Sequence, residues 1–358
     1  MGIKLLYITN GITGSGGLER VLSIKASLLA DEFGYEVHIL SLNEADTEAF
    51  FSFSKRIIRH SVKVGGNPLQ YLWQYCKGLR NKVKEIGPDV ISVCDDGLKG
   101  FLIPKILGNS IPVIYERHAS VLLNNSPCQH WIMKQLSPSF IKFIVLTPGS
   151  LKDWPADNTA VIPNPVSFYP KHSAELAAKR VIAVGSHSYN KGYDLLLNIW
   201  KKIEADFPDW QLDIYGKYKD DTVQKLAQTL HLKKVYFYPP VSNIEEKFLE
   251  SSVLVFPSRS EGFGMVIIEA MACGLPIVSF DCPHGPADII TDGTDGFLIS
   301  NGNVEMFSRR LNKLMSNHQL RIDFGTNGKI TSEMYLSQNI LEKWDELFKI
   351  LKKEINNG

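Results

Sequence analysis

Apolar residues along the chain collect into short unbroken runs, each followed by a turn of glycine and small polar residues and then by a stretch where they recur every three or four positions. That succession is the pattern of a buried strand, a turn and a helix. It runs first through IKLLYITNG, the turn ITGSGGLER, the helix-like VLSIKASLLADEF ending near Gly34, and the strand-like EVHILSL. It begins again with KRVIAVG, the turn SHSYNKG, the helix-like YDLLLNIWKKIEADF and the strand-like WQLDIYG. Two β-turn-α-β starts predict an α/β protein of two similar domains, each a parallel sheet covered by helices on both faces. The boundary is expected in VIPNPVSFYPKH, Val161 to His172, because three prolines so close together fit neither a helix nor a central strand. The expected division is therefore 1–165, 166–335 and a terminal segment 336–358. In that last segment, SQNILEKWDELFKILKKE places Ile340, Leu341, Trp344, Leu347, Phe348 and Leu351 on one helical face, a stripe suited to core packing.

Composition narrows the function classes. The chain has 358 residues, of which 44% are apolar and 22% charged, enough for a real core and two domains. A formal net charge of +1 gives no reason to expect nucleic acid as a partner. The five cysteines are scattered, with no C-x-x-C spacing, so neither a disulfide framework nor a zinc site is indicated. The opening MGIKLLYITNG is too short in its apolar run for a signal peptide, and no window approaches the length of a membrane span. A cytoplasmic protein is expected, with any membrane contact peripheral.

Candidate chemistry sits in the turns. In an open α/β sheet, ligands bind beyond the carboxyl ends of the strands, where helix starts offer unpaired N–H groups to phosphates. GSGG, Gly14 to Gly17, lets backbone approach a ligand closely, with Arg20 a turn further on; yet Glu19 stands where a dinucleotide fingerprint needs its third glycine. GSHSYNKG, Gly185 to Gly192, misses the phosphate-loop pattern of kinases and ATPases because Gly192 follows Lys191 where Ser or Thr would hold magnesium. The stretch SEGFGMVIIEAMACGLPIVSF is more specific. Gly262 and Gly264 bracket Phe263 at an expected helix start, so the N–H groups of Phe263, Gly264 and Met265 suit an anionic ligand. Glu269 is a lone carboxylate among apolar neighbours, costly to bury without hydrogen-bond donors. Were the whole interval helical, Glu261 and Glu269 would be separated by about 12 Å of rise, too far for the acid and nucleophile of a glycosidase. They are better suited to gripping different parts of one elongated ligand, unless Glu269 caps a loop and Glu261 is solvated.

PSRSEGFGMVIIEAMACGLPIVSFDCPHGPADII, Pro257 to Ile290, together with GGLERV, NKGYDLL and the terminal helix, resembles glycosyltransferase family 4, the retaining nucleotide-sugar transferases. That resemblance implies the GT-B fold: two Rossmann-like domains facing each other across a cleft, the first for acceptor, the second for nucleotide sugar, with the last helix crossing back to the first. It implies that Gly16 and Gly17 lie against the donor diphosphate or acceptor, and that Lys191 neutralises the departing diphosphate. Glu261 would hold the donor sugar's hydroxyls, the backbone of Phe263, Gly264 and Met265 would meet phosphate and sugar, and Glu269 would take the ribose hydroxyls. His118, in PVIYERHAS, matches the histidine that such enzymes set beside the transferred sugar. Asp281 to Ile290 is similar to members that transfer galactose, N-acetylgalactosamine or related hexoses in surface-polysaccharide assembly. Transfer of a hexose from a UDP-sugar to a saccharide or lipid-linked saccharide is thus expected, with no metal and no cofactor beyond the substrate nucleotide.

One position departs from the family. Ser186 stands where an arginine usually shares the diphosphate charge with the lysine, and His187, Arg259 and Arg20 are the candidate substitutes. Losing a preorganised cation beside developing negative charge typically costs a few kcal/mol. A nucleotide-sugar binding protein without turnover and a nucleotide-sugar epimerase are the alternatives. CDDG, Cys94 to Gly97, offers adjacent carboxylates that are expected to be solvated rather than metal-binding. From Lys55 through Lys84 the chain has Lys55, Arg56, Arg59, Lys63, Lys77, Arg80, Lys82 and Lys84 and no acidic residue, interleaved with Leu69, Leu72 and Trp73. Such a stretch suits an anionic membrane surface or a solvated helix face.

Overall fold

A computed structural model describes residues 2–44, 47–108, 110–120, 126–218 and 220–356. Those residues form two compact units, Met1–Pro165 with Ser337–Gly358, and Val166–Leu336. In the first unit, the strands among the described residues are β1 (Lys4–Ile8), β2 (Glu36–Leu42), β3 (Ile58–Val62), β4 (Val90–Val93), β5 (Val113–Glu116), β6 (Lys142–Val145) and β7 (Thr159–Val161). All pair in parallel, in the spatial order β3-β2-β1-β4-β5-β6-β7. The second unit carries β8 (Arg180–Val184), β9 (Gln211–Tyr215), β10 (Val235–Tyr238), β11 (Val253–Phe256), β12 (Ile277–Asp281) and β13 (Gly296–Ser300), again parallel, in the order β10-β9-β8-β11-β12-β13.

Burial explains why the strands read as unbroken apolar runs. Every residue of β4, β5 and β11 is buried, as a strand must be when helices cover both faces of its sheet. In each sheet the order reverses beside its first strand, between β1 and β4 and between β8 and β11. The loops leaving these pairs therefore splay apart and leave a crevice at their carboxyl ends. The residues singled out in the glycine turns lie in those loops.

The helices differ from expectation mainly at their ends. The first runs Gly17–Asp31, four residues earlier than its apolar periodicity begins, with Gly16 extended at its N-cap and Glu19 in its first turn, where a negative charge favours the helix. The helix expected over Tyr193 to Phe207 stops at Ile203. Pro68–Ile86 is bounded by a reciprocal Asn67 and Gln70 capping box and by Gly87 in the left-handed region. The last helix, Ser337–Asn356, belongs to the first unit, where Ile340, Leu341, Trp344, Phe348 and Leu351 join a core with Leu5, Leu22, Leu29 and Val90. Fully burying each such large side chain contributes about 1.5–3 kcal/mol relative to leaving it exposed. That return of the chain places Trp344 beneath the helix Gly17–Asp31, with consequences for a charge buried there.

Candidate functional site

In the second unit, the loops after β8 and β11 meet through their side chains. Lys191 Nζ donates to Glu261 Oε1 at 2.7 Å, and the ammonium lies 5.2 Å from the centre of the Phe256 ring. Both side chains keep contact with solvent, at 21% and 13% exposure, so either can exchange its partner for a ligand. Two glycines make the approach possible. Gly192 has φ of +66°, and a Cβ there would meet the Pro257 carbonyl oxygen at 2.1 Å, so only glycine lets the loops close to this spacing. Gly264, with φ of +113°, turns the chain into the helix Met265–Ala272.

That helix begins after Glu261, which is a loop residue; the helical rise considered for the Glu261 to Glu269 interval does not describe it. Phe263 buries its ring edge-on against Tyr335, so its side chain is structural and its backbone N–H lies at the helix start with those of Gly264 and Met265. Glu269, 1% exposed, receives a hydrogen bond from Ser167 Oγ at 2.6 Å. Its cost of burial is thus met in part from the proline-rich segment more than a hundred residues earlier.

The candidate substitutes for the absent arginine behave differently from free cations. Arg259 forks onto Asp194 at 2.8 and 2.6 Å, stacks on Tyr189 at 4.1 Å and donates to the Tyr189 carbonyl. It braces the loop Gly185 to Gly192. His187 sits among Tyr193, Tyr218 and Phe237, and burial lowers its pKa below the ordinary histidine value, so it is neutral near pH 7. Arg20 lies in the first unit, over the Phe51 ring at 5.7 Å. Lys191 and Arg259 are similarly exposed, at 21% and 19%, and each is paired, Lys191 with Glu261 and Arg259 with Asp194 through both guanidinium nitrogens.

The first unit presents a second constellation. Gly16 caps and Gly17 opens the helix after β1, and the Glu19 carboxylate folds back over the loop, near where a Cβ would stand on Gly14 or Gly16. The loop after β1 is tied to that after β4: Asn10 Nδ2 donates to Asp95 Oδ1 at 2.7 Å, and Gly97 N donates to the same oxygen at 2.9 Å. Asp95 is buried and Asp96 pairs with Arg117 at 3.2 Å, so the CDDG carboxylates hold loops together and are not the solvated pair expected. Burial raises the Asp95 carboxyl above its ordinary value, with Lys99 opposing.

Beyond β5 stands His118, its side chain 5% exposed. Its Nε2 lies 3.1 Å from Glu116 Oε2, the last residue of β5. Glu116 is wholly buried, accepts from Ser92 Oγ of β4 at 2.5 Å, and contacts the ammonium of Lys25, itself 1% exposed. Lys25 Nζ lies 4.0 Å from the centre of the Trp344 ring and 5.1 Å from that of Tyr7. Burial pushes the Glu116 carboxyl up, but the Lys25 charge and the His118 hydrogen bond prevail and hold it down at about 2. Cys94, Glu116 and His118 also bring ligand-type atoms within 4.8 Å of one another. They do not suit a metal: the Glu116 oxygens already serve Lys25, Ser92 and His118, and burial keeps the Cys94 thiol protonated.

Sequence reasoning named His118 but missed Lys25, Ser92, Glu116 and Trp344 behind it. One signal was available, since Lys25 falls on the stripe of Leu22, Ala26 and Leu29 that the helix buries. A lysine in such a stripe requires a buried partner.

Comparison with known proteins adds the family context. Residues 169–331 match the family described as Glycosyl transferases group 1. An uncharacterized glycosyltransferase of Haemophilus influenzae is 29% identical over 95% of this chain and 98% of its own length. The amylovoran biosynthesis glycosyltransferase AmsD of Erwinia amylovora is 28% identical over 96% and 99%. Among solved structures, Anabaena HepE in complex with UDP and glucose aligns with 97% of this chain and 99% of its own, at a TM-score of 0.81 and 18% identity. That likeness shows the fold, which is GT-B.

Proposed function

We propose that this chain, a retaining glycosyltransferase whose residues 169–331 match the group 1 glycosyl transferases, moves a hexose of the galactose, N-acetylgalactosamine or glucose type from a UDP-sugar to a saccharide or lipid-linked saccharide acceptor during surface-polysaccharide assembly. The observation that carries this reading is the Lys191 and Glu261 contact at the switch point of the second sheet, beside the start of the helix Met265–Ala272. A cation, a hydrogen-bond acceptor and a helix start converging there suit a sugar diphosphate. HepE holding UDP and glucose, and AmsD acting in amylovoran biosynthesis, support the donor and the pathway class.

In this reading Lys191 leaves Glu261 for the diphosphate and stabilises the charge that develops as the sugar departs. Glu261, released, accepts from the sugar's hydroxyls. The N–H groups of Phe263, Gly264 and Met265 face phosphate, and Glu269, steadied by Ser167, accepts from the ribose. Gly16 and Gly17 leave room for diphosphate or acceptor, and His118 stands beside the transferred sugar. With Ser186 in place of an arginine, and Arg259 committed to Asp194, Lys191 carries more of the leaving-group stabilisation than it would with a second cation. No metal is required in this scheme. The test is UDP release from a panel of UDP-hexoses, GDP-hexoses and ADP-glucose with oligosaccharide acceptors: acceptor-dependent release from one UDP-hexose is expected, whereas release only from GDP- or ADP-sugars refutes the donor assignment.

The lipid-linked acceptor draws support from the helix Pro68–Ile86. Leu69, 81% exposed, and Trp73, 62% exposed, share a face with Lys77, Arg80 and Lys84, and Lys77 caps the Trp73 ring at 4.6 Å. No helix among the described residues is long and apolar enough to cross a membrane. Apolar side chains ringed by cations suit the anionic surface of a bilayer. Cosedimentation with phosphatidylglycerol vesicles that weakens with salt and with Trp73→Ala is expected; equal partition with and without vesicles at low salt counts against it.

A further inference from the structure

We propose that Lys25 and Glu116 are positioning residues that fix the tautomer of His118, so that the ring meets the transferred sugar with Nε2 protonated and Nδ1 as a bare hydrogen-bond acceptor. This rests on the reading that places His118 beside that sugar. It concerns a different question, namely which ring atom does the work and what decides it.

An ionised carboxylate only accepts hydrogen bonds, so a ring nitrogen 3.1 Å from Glu116 Oε2 must carry the proton. In the neutral imidazole the other nitrogen then has a lone pair and no hydrogen. Nδ1 of His118 is buried and has no hydrogen-bond partner among the described residues. The chain has thus committed one ring atom and left the other for something outside itself. A sugar hydroxyl, which can donate, fits a bare lone pair; a second acceptor does not.

The direction of the commitment depends on Glu116 staying ionised although its side chain is wholly buried. Lys25 supplies the opposite charge from the helix Gly17–Asp31, and Ser92 Oγ donates at 2.5 Å from β4. Lys25 is held in turn by the faces of Trp344 and Tyr7, at 4.0 and 5.1 Å. Three strands and two helices, the last returning from the far end of the chain, therefore converge on one ion pair. A buried ion pair is weak as a source of stability but well suited to fixing one arrangement among several. Here the arrangement fixed is the protonation pattern of a ring at the rim of the site.

The test is ¹⁵N chemical-shift measurement on the full-length protein with labelled histidine, His118 being assigned by its loss in His118→Gln. The neutral wild-type ring is expected as the Nε2–H tautomer; finding the Nδ1–H tautomer overturns the proposal without any variant having to fold. The charge-neutral double variant Lys25→Met with Glu116→Gln strands no buried charge. It is expected to populate both tautomers and to lose about tenfold in kcat, the worth of one hydrogen bond, with KM for the UDP-hexose little changed. Unchanged tautomer and unchanged kcat in that variant overturn the positioning role. Full kcat in His118→Ala, with the wild-type tautomer as expected, instead sinks the underlying placement of His118 at the sugar, and the two failures are thereby told apart.

Discussion

Each unit places a lysine against a glutamate at the carboxyl edge of its sheet, and the two pairs are opposites in setting. Lys25 and Glu116 are 1% and 0% exposed, enclosed by Trp344, Tyr7 and Ser92. Lys191 and Glu261 are 21% and 13% exposed and meet across two loops. A sealed pair has no ligand to exchange for and only orients what touches it, here His118. A pair that reaches solvent can exchange its contact for a ligand's, and either partner is then ready for a substrate group. In the proposed function the same chemistry serves structure in one unit and binding in the other, and accessibility makes the difference.

The sharpest way to break this contrast is to remove one partner of each pair. Lys191→Ala is expected to lower kcat for hexose transfer by about 10²- to 10³-fold, as loss of a preorganised charge-stabilising group does, while urea unfolding shifts by no more than about 1 kcal/mol. Glu116→Ala should do the reverse in kind: it strands the buried Lys25 ammonium without its partner, at a cost of about 3–5 kcal/mol in the unfolding of the first unit. A Glu116→Ala protein as stable as wild type would show that the pair is not sealed as described.

Acid sharpens the comparison further, with a smaller effect. The Glu116 carboxyl titrates at about 2 when folded, below the ordinary value of 4.5, because Lys25 and His118 outweigh the burial that raises it. Its contribution is therefore complete above the unfolded value and is lost as pH falls toward 2. Between those limits it weakens by about 1.4 kcal/mol per pH unit. Urea midpoints at pH 5 and pH 3 are expected to diverge more in wild type than in Lys25→Met with Glu116→Gln; equal divergence removes Glu116 from the acid response.

How much of this was legible in the sequence depends on distance along the chain. β2 could be read to the residue, because EVHILSL is apolar, β-branched in part and bounded by turn residues. The stripe of the last helix was legible for the same reason, since helical periodicity is local. The start of the first helix was not, because three glycines conceal where backbone turns helical. The loops bearing Lys191 and Glu261 could be identified, but their contact could not, since 70 residues separate them and no periodicity links them. Ser167 as donor to Glu269, and Asp95 as a buried clamp rather than a solvated carboxylate, were hidden likewise. In each case the missing information was which loops a parallel sheet brings side by side.

In the proposed function the second unit holds a uridine diphosphate sugar through Lys191, the helix start and Glu269. Thermal unfolding of wild type and Glu269→Ala with UDP, GDP, ADP and UDP-hexoses tests it most directly, because a ligand bound only by the folded state must raise the Tm. A rise with UDP and one or more UDP-hexoses that is largely lost in Glu269→Ala is expected. No rise with any nucleotide at millimolar concentration, or an equal rise in both proteins, would contradict that reading and leave Glu269 to the protein's own structure.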